Sequence, residues 1–403
     1  MNIIIIGTSN SVMTESYVSA LKIYHQVSNI SCGRVPFFYH IKTIKQNIEL
    51  IEKSDLLIID HYINDINYYH PRLGDFYLEE CKDFYRLLSS LNTNILNILF
   101  PIRKKLNSQE SDYYNFVKNL SKTNKIPLLD LNKFAFKTEN YGDDIHLNRK
   151  TSFTVGVSLA NNLRTLTEKP VHGGSIKKDP YIIFDSHDIA ETNNYQKYDF
   201  KNSLIDITFS RCTDQIHLNN RVPCKLLSIG YFLAPSRKEE QGISVLNKRF
   251  SFSGNLYLHE AIDSFPSFPG DIRITVLNGN YSNTPSFMGR EIVDGPFKDA
   301  DIVELLAKSE IDLEVNPANR SYYDFELPDL NELLLKFEES LTENKSIAIS
   351  SELVDILRDL AIGIERLNLD KAYELMKLVK HFRPDGVTIN SKIKNYESKL
   401  KNH

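Results

Sequence analysis

"MNIIIIGTSNS" occupies residues 1–11. Four consecutive isoleucines ending at a glycine form a short apolar run with no polar face. Such a run suits a strand covered on both sides, as in a parallel sheet, and not a half-exposed strand, which would alternate. A helical stretch follows from about Ser11 to Tyr24. The same signal recurs in "SDLLIIDHY" (54–62), "NILNILFP" (94–101) and "KIPLLDLN" (125–132). Helical patterns separate these runs at about 42–53, 76–91 and 109–123, and "KTSFTVGVSLANNLRT" (150–165) reads as an amphipathic closing helix. Strands alternating with helices imply a parallel sheet with helices on both faces and ligands at the carboxyl ends of the strands.

Downstream the pattern changes. "TEKPVHGGSIKKDP" (167–180) carries Pro, Gly-Gly and Lys-Lys and reads as a linker. "YIIFDS" (181–186), "SLIDITFS" (203–210), "KLLSIGYFL" (225–233), "RFSFSGNLYL" (249–258) and "DIRITVLN" (271–278) are strand-like, with no clear helix between them. They predict an antiparallel sandwich or barrel. Helical periodicity returns at about 329–341, 350–367, 370–382 and 387–401. The expected organisation is an α/β domain (1–166), a linker (167–180), a β-rich domain (181–325) and a helical C-terminal segment (326–403).

Composition excludes several classes of function. A net charge of −4 gives no basic field for nucleic acid. Cys32, Cys81, Cys212 and Cys224 are scattered, with no CxxC pair, so neither a zinc ribbon nor a disulfide scaffold is predicted. The amino terminus lacks a basic n-region, and no run of about 18 apolar residues is present. A cytoplasmic location is therefore expected. No GxxxxGK[ST] loop and no convincing GxGxxG is present, so no nucleotide is expected, and no metal or other cofactor is expected either.

Four pieces of the α/β part fall at the carboxyl edge of the sheet. Ser9 follows the first strand at the head of a helix; alone, it reads as a helix cap. Gly33, in "NISCGRVPF" (29–37), is a turn glycine whose N–H can approach a ligand. Asn64, after the second buried strand, has an amide that can donate to an oxyanion, although Asn-Asp also forms Asx-turns. In "GDDIHLN" (142–148), Asp143 lies three residues before His146, so its carboxylate can accept from one imidazole nitrogen and leave the other for a serine. Either Asp143 or Asp144 can face that ring, and the spacing favours Asp143.

In this order the pieces resemble the SGNH (GDSL-like) hydrolases over about residues 1–165. The resemblance implies a flavodoxin-like α/β/α sandwich. It also implies Ser9 as nucleophile, His146 as general base oriented by Asp143, and an oxyanion hole of the Ser9 N–H, the Gly33 N–H and the Asn64 amide. Two positions depart from the family pattern. Thr8 stands where the family usually has Asp, and Tyr62 where a glycine usually precedes the Asn by two.

A near-copy, "TDQIHLN" (213–219), sits among strands with no serine elbow nearby, so Asp214 and His217 read as structural or surface loop residues. Asp185, His187 and Asp188 in "FDSHDIAET" crowd into one loop without the spacing of a metal site.

The family includes esterases, lipases and O-acetyltransferases. With no Trp, 21 tyrosines and 22 phenylalanines carry all the aromatic contacts. Those in "SFSGNLYLHEAIDSFPSF" and "NGNYSNTPSF" suit either sugar stacking or a core. The tail "LDKAYELMKLVKHFRPDGVTINSKIKNYESKL" resembles C-terminal helices of bacterial surface-polysaccharide biosynthesis proteins, which implies association with that machinery. The expected activity is removal of O-acyl, chiefly O-acetyl, groups from a carbohydrate of a capsule or surface polysaccharide. An O-acetyltransferase using the same serine and a silent glycan-binding or assembly module are the alternatives.

Overall fold

A computed structural model describes residues 1–335, apart from 105, 169, 194, 202–205, 234–239, 253–255, 263–264 and 287–291. Beyond them it describes 355, 357–359, 361–362, 365, 369–383 and 386–401. The chain divides into two units, Met1–Leu330 and Asn331–His403.

The isoleucine run forms β1 (Asn2–Ile6), with Ile3 to Ile6 all buried. Two helices follow where one was expected, α1 (Ser9–Val12) and α2 (Tyr17–Tyr24), and β2 (Gln26–Asn29) lies at the sheet edge. Next come α3 (Phe37–Gln46), α4 (Ile48–Glu52) and β3 (Leu56–Ile59). A short α5 (Tyr62–Asn64) passes through a π-turn (Asp65–Tyr69) into α6 (His70–Ser89). Helix α6 starts six residues before the expected 76 and bends at Gly74, whose φ of 58° favours glycine. The unit continues with β4 (Asn94–Leu99), α7 (Ser108–Thr123), β5 (Leu128–Asp130) and α8 (Arg149–Asn162). Asn107 and Glu110 form a reciprocal capping box at the start of α7.

The five strands pair in parallel in the order β2-β1-β3-β4-β5. That is the flavodoxin-like order. The expected α/β/α fold is present, and β1, β3 and β4 are central because their buried side chains are apolar on both faces, apart from Asn97, whose amide donates to Tyr85 and Ser121. Each isoleucine or leucine so buried contributes about 1.5–3 kcal/mol relative to exposure.

The expected linker contains a strand, Ser175–Lys178, paired with Glu314–Asn316. The β-rich region is antiparallel, with a four-stranded and a seven-stranded sheet. Residues of both sheets, among them Ile216, Ile243, Ile274, Leu226, Ile229 and Leu305, share one core, as in a sandwich. The expected strand 203–210 is described only from residue 206, and 249–258 is two strands, Lys248–Ser251 and Leu256–Ala261, with 253–255 outside the described residues.

One helix interrupts the strands, contrary to expectation: α9 (Ser186–Asn193). Asp185 caps it by accepting from the His187 and Asp188 N–H groups at 2.8 and 3.0 Å, and the Asp188 carboxylate accepts from the Asp185 N–H. The "FDSHDIAET" acids are therefore engaged in a helix start.

Buried polar contacts hold the β-rich region to the α/β part. Lys308 reaches Glu80 and Asp83 on α6 at 2.8 Å, and Tyr69 donates to Glu260 at 3.0 Å. In the second unit, α10 (Leu369–Phe382) and α11 (Val387–Lys401) pack through Ala372, Met376 and Val379 against Ile389, Ile393 and Tyr396. Of the helix expected at 329–341, residues 330–335 are helical and 336–341 lie outside the described residues, as does most of the one expected at 350–367. No helix among the described residues is long and apolar enough to cross a membrane.

Candidate active site

Strand β1 ends at Gly7, and the chain turns sharply into α1 with Ser9 as its first helical residue. A Cβ on Gly7 would lie 2.0 Å from Ser11 Oγ, so any side chain there would displace Ser11. Ser9 is half-buried.

The loop bearing Asp143 and His146 joins β5 to α8. Asn148, the last letter of "DIHLN", caps α8 by accepting from Thr151 N–H at 2.8 Å. The Gly142 N–H donates to the His146 carbonyl at 2.9 Å and closes the turn. Helix α8 is fixed on α2, where the Tyr17 N–H donates to Ser152 Oγ at 3.1 Å. The loop is thus anchored at both ends, beside the Ser9 turn.

There the side chains meet. His146 Nε2 lies 2.6 Å from Ser9 Oγ, and His146 Nδ1 lies 2.7 Å from Asp143 Oδ2. Asp143 Oδ1 accepts from the Ile145 and His146 N–H groups at 2.9 and 2.8 Å. Partial burial works to raise the Asp143 carboxyl. The His146 ring and these backbone donors outweigh it and hold the group below the usual range. Asp144 turns the other way and pairs with Arg103, whose Nε is 3.0 Å from its Oδ1. A proton accepted from Ser9 at Nε2 would leave an imidazolium facing an ionised carboxylate.

The Gly33 loop is tied to the end of β1. The Cys32 N–H donates to the Gly7 carbonyl at 3.1 Å, and the Gly7 N–H donates to Ser31 Oγ at 2.8 Å. A Cβ at Gly33 would make ordinary contact with Val12 at 3.6 Å, so the free protein does not require glycine there. Asn64 is buried, and its amide donates to the Val35 carbonyl at 3.2 Å. The second amide hydrogen has no partner among the described residues.

Thr8 and Tyr62, the two departures from the family pattern, are both accounted for by packing. Tyr62 fills its place with a buried ring set against Tyr113 and Tyr114. The Thr8 N–H and hydroxyl both reach Asp60 Oδ2, at 3.3 and 3.2 Å, and Ser11 Oγ joins them at 3.0 Å. Asp60 is fully buried at the end of β3, and burial raises its carboxyl to about 6 despite those donors. Sequence reasoning missed this residue; the signal was an acid closing the apolar run "LLIID" (56–60).

The near-copy is arranged differently. His217 lies on a strand, Gln215–Leu218, and not in a loop, and its Nε2 pairs with Asp271 at 3.0 Å. The four cysteines are buried and unpaired. No group of three metal-ligating side chains occurs among the described residues.

No protein-family model matches the sequence, and no curated protein matches it. Solved structures resemble its α/β part. A protein described as lipolytic, of the G-D-S-L family, from Desulfitobacterium hafniense is 12% identical, with 40% of this chain covering 98% of that one at a TM-score of 0.32. A carbohydrate acetylesterase from Sinorhizobium meliloti is 11% identical, with 41% of this chain covering all of that one (100%) at a TM-score of 0.33. For a lipase/acylhydrolase from Enterococcus faecalis the identity is 15%, the coverage 43% and 100%, and the TM-score 0.35. The part of this chain that these structures resemble is the five-stranded parallel sheet with its flanking helices.

Proposed function

We propose that this chain is a serine esterase that removes O-acyl, chiefly O-acetyl, groups from a carbohydrate. The observation that carries the ester chemistry is the unbroken hydrogen-bonded series Ser9–His146–Asp143. His146 takes the Ser9 proton at Nε2 as Oγ attacks the ester carbonyl, and the resulting oxyanion accepts from the Ser9 N–H, the Gly33 N–H and the free hydrogen of the Asn64 amide. Collapse expels the sugar alkoxide, which takes the proton back from His146. Water, deprotonated by the same nitrogen, then releases the acid and regenerates Ser9.

The carbohydrate half of the proposal rests on other features. Of the aromatic residues in the two stretches, Phe252, Phe265 and Phe268 lie in the core, which removes them as stacking surfaces; Tyr281 is half-buried, and Phe287 lies outside the described residues. The likeness of the C-terminal tail to polysaccharide biosynthesis proteins remains in support, and with it a cytoplasmic role in capsule or surface-polysaccharide metabolism.

The test is hydrolysis of p-nitrophenyl acetate and of an O-acetylated glycan by wild type, Ser9→Ala and His146→Ala. Turnover abolished in both variants supports the proposal. Turnover that survives Ser9→Ala overturns it. Transfer of acetyl to an added glycan in place of water would reassign the same serine to an O-acetyltransferase.

A further inference from the structure

A cavity of about 530 Å³ opens between α3 and the seven-stranded sheet. That volume falls within the range of small-molecule sites, about 300–1,000 Å³. None of the residues of the Ser9 site lines it. Its walls include Tyr39 and Lys42 from α3, and Lys197, Thr208, Tyr257 and Glu304 from the sheet.

Two charges in this wall are more than nine-tenths buried and only partly matched: Lys42 is 7% and Glu304 5% exposed. Lys42 Nζ lies 3.3 Å from Glu304 Oε1 and over the Tyr39 ring at 4.6 Å. Glu304 Oε1 is crowded. Besides Lys42 it accepts from Tyr257 OH and from His259 Nδ1 at 3.1 Å. Oε2 accepts no hydrogen bond among the described residues. Leaving a buried ion pair short of hydrogen bonds is costly unless something else supplies them.

The bracing behind Glu304 is elaborate. Ser228 Oγ lies 2.7 Å from His259 Nε2, so the ring holds Glu304 at one nitrogen and the serine at the other. Ser228, His259 and Glu304 repeat the order Ser–His–carboxylate, but Ser228 and His259 are fully buried and do not line the cavity. They fix Oε1 and leave Oε2 as the unmatched acceptor. The cavity thus offers N–H donors on Lys42 beside a lone-pair acceptor on Glu304.

We infer that this cavity binds a sugar residue, with Lys42 donating to one ring hydroxyl and Glu304 Oε2 accepting from its neighbour. A hydroxyl both donates and accepts, and adjacent ring hydroxyls present the two roles side by side. An anion would suit Lys42 and be repelled by Glu304, and a simple cation the reverse. The inference rests on the carbohydrate half of the proposed function and is independent of Ser9 chemistry.

Saturation-transfer NMR on the full-length Ser9→Ala protein, with glucose, galactose and N-acetylglucosamine as probes, tests it without turnover. Glycine, which carries both charges on a small frame, is the competing probe. Lys42→Met removes the buried donor. Thr208→Trp, at an exposed wall position, narrows the cavity without touching the buried charges and serves if Lys42→Met does not fold. The expected result is transfer to at least one sugar, weakened at least tenfold in both variants that fold. No transfer to any of the three sugars, transfer undiminished in the folded cavity variants, or displacement of the sugar by glycine overturns the inference. Loss of esterase activity in Ser9→Ala with sugar binding intact keeps the two proposals separate.

Discussion

Asp60, the residue after β3, accepts from both the backbone N–H and the hydroxyl of Thr8, the residue before Ser9. The carboxylate thereby holds the turn that presents Ser9, and Ser11 on the far side of that serine donates to the same oxygen at 3.0 Å. Asp60→Ala would leave three buried donors without this acceptor and is expected to destabilise the fold by about 1–3 kcal/mol for each donor left unpaired. Thermal unfolding of the purified variant measures this.

The same residue predicts a pH effect. Burial raises its carboxyl from 3.8 to about 6. Between those values the folded state holds a proton that the unfolded state has released, so the Asp60 contribution to stability falls as pH rises from about 4 to 6 and is level above. The difference is on the order of 3 kcal/mol. Asp60→Asn, which keeps an acceptor but cannot titrate, is expected to remove this dependence. Urea unfolding of both proteins at pH 4, 5 and 6.5 tests it, and parallel curves would show that Asp60 does not titrate in that window.

Adjacent acids give a sharp contrast. Asp143 faces the imidazole, whereas Asp144 pairs with Arg103 at an exposed site. If the series acts as proposed, Asp143→Asn lowers kcat by roughly 10²–10⁴-fold, since an amide can fix the wrong imidazole tautomer. Asp144→Asn is expected to stay within threefold of wild type, because exposed ion pairs are weak. Equal losses in both would mean that the loop, and not the carboxylate, sets the activity.

The sheet was legible because β1, β3 and β4 are largely apolar on both faces, a pattern that survives without tertiary information. The Ser9 and His146 positions were legible because each follows a strand at its carboxyl end. Helix α9 was not, since "SHDIAETN" has no sustained apolar stripe and starts in capping residues that also form loops. The strand Gln196–Lys201 was missed because it is largely exposed and polar. Contacts between Asp60 and Thr8, or Lys42 and Glu304, join residues 52 and 262 positions apart, and nothing local in the sequence encodes them.

Gly7 has a narrow tolerance. A methyl at its Cα would overlap Ser11 Oγ at 2.0 Å and press on Asp60 Cβ at 3.2 Å. Gly7→Ala is expected to cost about 1–3 kcal/mol. Because the displaced groups adjoin Ser9, its remaining activity should fall further than its stability alone accounts for. Measuring kcat on the folded fraction separates the two effects.

Glu304 gives the opposite pH signature to Asp60. Burial works to raise its carboxyl, but Lys42, with His259 and Tyr257, more than offsets that and holds it at about 2 against an ordinary 4.5. A depressed carboxyl stabilises the folded state above the unfolded value, and that contribution disappears as pH falls from about 4.5 to 2. Its size is on the order of 3 kcal/mol. Glu304→Gln removes this acid-sensitive term but leaves Lys42 buried without a carboxylate, at a cost of about 3–5 kcal/mol near neutral pH. The variant should therefore be much less stable than wild type at pH 7, and the gap should narrow as the pH is lowered to 3. A gap that stays constant over that range would mean that Lys42 does not hold Glu304 ionised, and the paired charges lining the cavity would have to be abandoned.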